Sequence, residues 1–116
     1  MERIIDKNLA LELCDGNEEL FKEITGIFLG NLPKSVKILN YAFKSGDANL
    51  LNRAAHKIKG LVGNLAAIEA YEKAVELEKI TGNKVIEKAE KVMHELEYQL
   101  DILKSELESL ISGEKS

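Results

Sequence analysis

The stretch AAHKIKGLVGNLAA, residues 54–67, combines a helical pattern of apolar residues with two glycines and one histidine. Apolar side chains recur every three or four positions in and just before it, which is the spacing of one buried face of an α-helix. The predicted buried face of this helix consists of Leu50, Leu51, Ala54, Ile58, Leu61, Val62 and Leu65. The stretch therefore predicts a helix packed against other elements, and its polar residues mark the face left to solvent.

The same periodicity runs through the rest of the chain. We predict one short helix near the N-terminus and four long helices, at about 17–44, 47–64, 66–80 and 84–111. Asp47 is placed to cap the second long helix, and Pro33 predicts either a kink in the first or its division into two helices. We therefore predict an all-α fold, an antiparallel up-and-down four-helix bundle with a short additional N-terminal helix.

Length and composition indicate one domain over residues 1–116, with an ordered core at about 6–111. The net charge is -4 and the charged residues are interleaved, so no basic surface favours a nucleic-acid partner. No apolar run approaches the roughly 20 residues that span a bilayer, and the N-terminus lacks a signal-peptide pattern. We predict a cytoplasmic protein without a membrane partner. Cys14 is the only cysteine, which excludes an internal disulfide.

His56 falls on the polar side of its helix, about 160° around the helical wheel from Ile58. The same side carries Asn52, Lys59, Gly60 and Gly63. A mid-helix glycine costs about 0.5–1 kcal/mol relative to alanine, but on an exposed face it lets a bulky group approach the ring. A neutral imidazole offers a lone pair to phosphorus, and an exposed Lys59 one turn along would stabilise phosphoryl oxygens. The pattern predicts a phosphoryl acceptor at His56.

His94 provides a comparison within the same chain. It also falls opposite the apolar face of its helix, but three carboxylates surround it and no glycine opens the surface: Glu90, Glu95 and Glu97. We predict that His94 is an ordinary surface residue, because negative charge repels a phosphoryl donor. Neither histidine lies in the Glu-x-x-His pattern of metal sites in helical bundles, so no metal site is expected.

These residues closely resemble the signature of histidine-containing phosphotransfer (HPt) domains, the phosphocarriers of bacterial two-component phosphorelays. The signature core A-H-x-[LI]-K-G matches residues 55–60. The likeness extends upstream through DGNEELFKEITGIFLGNLPKSVKILNYAFKSGD and downstream through AVELEK. One departure is Ala66, where the family usually has a glycine at the turn into the next helix.

The resemblance implies roles for individual residues. It makes His56 the phosphorylation site, Lys59 the residue that assists the phosphoryl group, and Glu78 the carboxylate that holds the inner ring nitrogen. A carboxylate in that position would fix the tautomer and leave the outer nitrogen as the nucleophile. The expected docking surface for a partner consists of Asn52, Gly60, Gly63 and Asn64, around His56 and Lys59.

The resemblance also implies the partner. It is the receiver domain of a response regulator, which brings its own magnesium, while the carrier itself needs no cofactor. No Gly-rich phosphate loop occurs in the sequence, so we predict a phosphotransfer intermediate without its own ATP-binding site rather than a kinase. A free-standing carrier and a domain of a larger hybrid sensor histidine kinase are both compatible with this resemblance. The alternative function is a non-catalytic helical interaction or scaffold bundle.

Overall fold

The structure, a computed structural model, describes residues 12, 15–63, 65, 67–83 and 86–111. Apart from Glu12, the predicted short N-terminal helix lies outside these residues, and so does Cys14. The prediction of a single domain over the whole chain therefore stays a prediction.

Four long helices make up most of the described residues, and no strand occurs among them. They are α1 (Glu18–Lys44), α2 (Ala48–Gly63), α3 (Ile68–Gly82) and α4 (Ala89–Ile111). Each helix packs on its neighbours in cyclic order, α1 on α2, α2 on α3, α3 on α4 and α4 on α1. Short connections between successive neighbours produce an up-and-down bundle. The predicted all-α four-helix architecture is confirmed.

Short polar side chains cap the first two helices. The side chain of Asn17 accepts a hydrogen bond from the backbone N–H of Leu20 at 3.1 Å. Asp47 accepts one from the N–H of Leu50 at 3.0 Å, as predicted. Such caps satisfy amides that have no partner within the helix.

The structure decides between the alternatives at Pro33 and corrects the predicted start of the last helix. Pro33 lies inside α1, which continues through it, so the alternative of two separate helices is wrong, whereas a kink stays a prediction. The last helix begins at Ala89 instead of about residue 84. The N–H of Ala89 bonds to the carbonyl of Ile86 at 3.0 Å, so residues 86–89 form a turn that leads into the helix.

The core lies along the axis of the bundle. Its largest fully buried side chains are Phe28, Leu39, Leu51, Ile58, Leu65, Leu77, Met93, Leu96, Leu100, Leu103 and Leu107. Burial of each such side chain stabilises the fold by about 1.5–3 kcal/mol. In α2 the buried face is shifted around the helix relative to the prediction, because Ala55 is fully buried whereas Leu50 and Leu61, on the opposite edge, are only half-buried. α2 packs on both α1 and α3, so its buried arc spans two contacts.

Candidate functional site

The exposed imidazole of His56 lies between two buried residues of α2, Ala55 and Ile58, which anchor the helix to the core. Ala55 and Ile58 are 0% and 1% exposed, whereas the side chain of His56 is 66% exposed. The anchors follow from the apolar periodicity of the helix, which turns His56 to the outside. The ring is therefore held on a packed helix and remains accessible to a partner.

One carboxylate on α3 contacts both polar residues predicted to act on a phosphoryl group. Oε2 of Glu78 lies 2.8 Å from Nδ1 of His56, and Oε1 lies 2.8 Å from Nζ of Lys59. His56 and Lys59 are three residues apart and therefore lie on the same side of α2. The packing of α2 on α3 brings together three residues that the resemblance had associated.

These contacts determine the charge of the carboxylate. The hydrogen bond from Lys59, and after it the one from His56, holds the pKa of Glu78 below its ordinary value of 4.5, although burial acts in the opposite direction. The hydrogen bond with Glu78 raises the pKa of Lys59 in turn. Glu78 is therefore ionised near neutral pH, and an ionised carboxylate can only accept hydrogen bonds.

The tautomer of His56 follows from that charge. Because Glu78 can only accept, the short contact requires Nδ1 of His56 to carry a proton and donate it. In the neutral ring, the lone pair is then on Nε2, the outer nitrogen. The site presents a nucleophilic nitrogen on the side away from α3.

Lys59 is less exposed than the sequence predicts. Its side chain is 27% exposed, and its ammonium is paired with Glu78 instead of extending freely into solvent. The helical wheel identifies the side of α2 that avoids the core, but it does not show that α3 flanks this side. An ammonium has three N–H donors, so the bond to Glu78 leaves two for another anion.

The predicted docking residues fall into different environments. Gly60 is exposed, and a Cβ added there would meet no described atom within 4 Å. Gly63 is half-buried, and a Cβ there would lie 3.5 Å from the ring of Tyr71. Asn52 is also half-buried, and its amide faces α3. Asn64 and Ala66 lie outside the described residues.

An apolar surface beside Gly63 was not predicted as part of the site. Ile68 is 54% exposed and Tyr71, which contacts Gly63, is 42% exposed. Their spacing of three places both on one side of α3. This spacing is visible in the sequence, but only the packing of α3 on α2 shows that Tyr71 lies beside Gly63.

His94 lies in a different environment on α4. It is exposed, and neither ring nitrogen has a hydrogen-bond partner among the described residues. It borders an open groove between α3 and α4 in which Lys73 pairs with Glu95 at 2.8 Å. Within the described part of the chain, no group of three or more His, Cys, Asp or Glu residues could hold a metal ion. No helix among these residues is long and apolar enough to cross a membrane.

Comparisons with known proteins identify the family and the fold of this chain. The family model of the Hpt domain matches residues 23–112. The crystal structure of histidine-containing phosphotransfer protein B (HptB) from Pseudomonas aeruginosa PAO1 has a TM-score of 0.88 at 19% sequence identity, over 99% of this chain and 100% of that one. The HPT domain of a sensor hybrid histidine kinase from Shewanella has a TM-score of 0.89 at 19% identity, over 97% of each chain. No curated protein sequence matches significantly.

Proposed function

Since the chain belongs to the Hpt domain family, whose members carry phosphoryl groups in two-component phosphorelays, we propose that His56 is the residue that carries the phosphoryl group. The observation that supports this assignment is the contact of 2.8 Å between Nδ1 of His56 and the carboxylate of Glu78. The contact is made on the inner side of an imidazole that is 66% exposed. His94, which has no such partner among the described residues, is not a candidate.

The proposed reaction is a transfer between a carboxylate oxygen of the partner and a ring nitrogen. The lone pair of Nε2 attacks the phosphorus of an aspartyl phosphate on a receiver domain. The N–P bond forms as the P–O bond breaks, and the partner's aspartate leaves with the electron pair of that bond. Transfer to a second receiver is the same step in reverse, so the chain acts as a carrier that neither consumes nor needs ATP.

Glu78 stabilises the positive charge that this step creates on the imidazole ring. A neutral ring that bonds phosphorus through Nε2 while Nδ1 keeps its proton becomes a phosphorylated imidazolium. The carboxylate of Glu78 faces that positive charge and accepts the Nδ1 proton in a hydrogen bond. When the phosphoryl group leaves, the ring returns to the neutral tautomer without losing a proton to solvent.

Lys59 provides the positive charge for the phosphoryl oxygens. Its ammonium is held beside the ring by Oε1 of Glu78 and keeps two donors available. Electrostatic stabilisation by such a cation is the main contribution a protein makes to phosphoryl transfer. We propose that these donors bind the phosphoryl group while Glu78 keeps the third.

The proposed docking surface surrounds His56 on α2 and continues onto α3. It includes Gly60, which leaves the surface open, Gly63 with its neighbour Tyr71, and the exposed Ile68 on the same side of α3 as Tyr71. Aromatic and aliphatic groups beside a polar centre are typical of binding surfaces. The partner is a receiver domain, and the magnesium ion that the resemblance implies belongs to that partner. Asn64 stays a predicted member of this surface.

The proposal is tested by incubating the full chain with 32P-labelled receiver domains. The wild-type chain and His94→Gln are expected to acquire an acid-labile label, whereas His56→Gln acquires none. Label that persists in His56→Gln contradicts the assignment of the site. If no receiver or small-molecule donor labels the wild-type chain, the alternative of a non-catalytic interaction bundle replaces the proposal.

A further inference from the structure

We propose that Asn52 is a positioning residue for phosphoryl transfer. It restrains the backbone of Glu78 and so keeps the Glu78 carboxylate within hydrogen-bond distance of the His56 ring. This inference rests on the proposed function of His56. It assigns Asn52 a role beneath the surface, in addition to the docking role that the sequence suggests. The residue acts through Glu78 and touches no reacting atom.

The contact is directional and connects two helices. Nδ2 of Asn52 donates to the backbone carbonyl of Glu78 at 2.8 Å and to Oγ1 of Thr81 at 3.3 Å. Thr81 is 1% exposed, and its hydroxyl donates to the carbonyl of Leu77 at 2.8 Å. Because that hydroxyl proton is engaged, its oxygen is free to accept from Asn52.

Three residues of α2 bind the same residue of α3. Asn52, His56 and Lys59 follow one another at intervals of four and three, so they lie on one side of α2. Asn52 binds the backbone of Glu78, whereas His56 and Lys59 bind the two oxygens of its carboxylate. Of the three contacts, only that of Asn52 restrains the main chain from which the carboxylate extends.

The contacts of Asn52 restrain the C-terminal end of α3. The contact of Asn52 with Thr81 lies in the last turn of the helix, which ends at Gly82, and the contact with Glu78 lies immediately before that turn. Last turns fray because their carbonyl groups lack partners within the helix. If this turn frays, the carboxylate moves away from Nδ1, and the ring is free to change its tautomer and orientation. Removal of the Asn52 amide therefore reduces the fraction of His56 that presents a lone pair on Nε2.

Asn40 offers a matched control within the same protein. Its amide is also half-buried and also connects two helices, since Nδ2 donates to Oε2 of Glu97 on α4 at 2.7 Å. It contacts neither α2 nor Glu78 through any hydrogen bond of the described residues. Asn40→Ala removes a hydrogen bond that a side-chain amide makes between two helices, without changing any contact of His56, Lys59 or Glu78.

The experiment compares the 116-residue wild-type chain with Asn52→Ala and Asn40→Ala, all labelled with 15N-histidine. NMR gives the protonation of Nδ1 and Nε2 of His56, and phosphoramidate serves as a small phosphoryl donor that requires no docking. We expect Asn52→Ala to decrease the Nδ1-protonated fraction and to slow phosphorylation about tenfold, as expected when a reacting group is misplaced. Asn40→Ala is expected to keep the wild-type signals and rate. Asn52→Leu, which keeps the branched shape of the side chain but not the donor, repeats the test if the alanine variant unfolds.

Wild-type imidazole signals and phosphorylation rate in both Asn52 variants would overturn the inference, and so would an equal change in Asn40→Ala. These outcomes differ from failure of the proposed function. That failure appears as a wild-type chain that phosphoramidate labels at a residue other than His56. The imidazole signals then still report whether Asn52 positions Glu78.

Discussion

Oε2 of Glu78 lies 2.8 Å from Nδ1 of His56, although 22 residues separate the two along the chain. The other oxygen of the same carboxylate binds Lys59 at the same distance. One side chain therefore orients the nucleophile and holds the cation beside it. Because the pKa of Glu78 is lowered, the carboxylate retains the charge that both tasks require.

Replacement of Lys59 by alanine is expected to slow phosphotransfer from a receiver domain about 10- to 100-fold. The physical reason is the loss of two donors for the phosphoryl oxygens. The side chain lies at the surface edge of the α2–α3 contact, so helical circular dichroism is expected to remain that of wild type.

Lys57→Ala is the control for this charge. Lys57 is exposed and lines a small crevice between α1 and α2, on the other side of His56 from α3. The Lys57→Ala variant should accept the phosphoryl group from a receiver domain at nearly the wild-type rate. Equal rates in both lysine variants would remove Lys59 from the mechanism, and a loss of helix in Lys59→Ala would make its role structural.

Acid is expected to weaken the contribution of Glu78 to stability. Its pKa in the folded chain is below the ordinary value of 4.5, so the stabilisation is fully present above that value and is lost as pH falls through the lower folded pKa. The free energy of unfolding lost in Glu78→Gln should therefore have its full value above pH 4.5 and diminish as the pH falls below 4.5. Denaturant titrations at several pH values measure this difference.

Glu95→Gln provides the comparison for this pH dependence. The hydrogen bond from Lys73 likewise lowers the pKa of Glu95, far from the imidazole of His56. We expect the same loss on acidification, with unchanged 15N signals of His56. A stability difference for Glu78→Gln that grows as pH falls below 4.5 would contradict the ion pairs assigned to Glu78.

Gly60→Ala is expected to separate stability from docking. A Cβ at this exposed helical position meets no described atom within 4 Å, so alanine should stabilise the fold by about 0.5–1 kcal/mol. The added methyl group occupies space that the proposed receiver needs. Transfer from a receiver should therefore fall, while phosphorylation by phosphoramidate stays at the wild-type rate.

Gly30→Ala tests whether stability alone changes the rate. Gly30 is exposed on α1, and a Cβ there also meets no described atom within 4 Å. Thermal unfolding should show a similar gain, with normal transfer from the receiver. Full transfer by Gly60→Ala would show that the partner does not dock over α2 at this position.

Local patterns in the sequence were sufficient to predict the four long helices and the exposure of His56. The cap at Asp47 and the buried positions Leu51, Ile58 and Val62 depend on residues within one helix, and the structure confirms them. At Pro33 the sequence allowed a kinked helix or two separate helices, because a proline both removes a backbone donor and clashes with the preceding turn; the structure shows one helix across it.

Contacts between helices could not be predicted from periodicity. A helical wheel shows that Asn52 and Lys59 avoid the core, but not that α3 lies against their side of α2. For this reason Lys59 was expected to be exposed and Asn52 was assigned only to a docking surface, whereas both bind Glu78. The position of Glu78 itself was taken from the resemblance, since its distance along the chain from His56 carries no geometric information.

The most direct test of the account locates the phosphorus atom on the phosphorylated chain. The 116-residue chain, labelled with 15N-histidine and phosphorylated with phosphoramidate, is measured by 31P and 15N NMR. The account predicts a phosphorus–nitrogen coupling to Nε2 of His56, with Nδ1 still protonated and hydrogen-bonded to Glu78. Phosphorus on Nδ1 of His56, on His94 or on a carboxylate would contradict it.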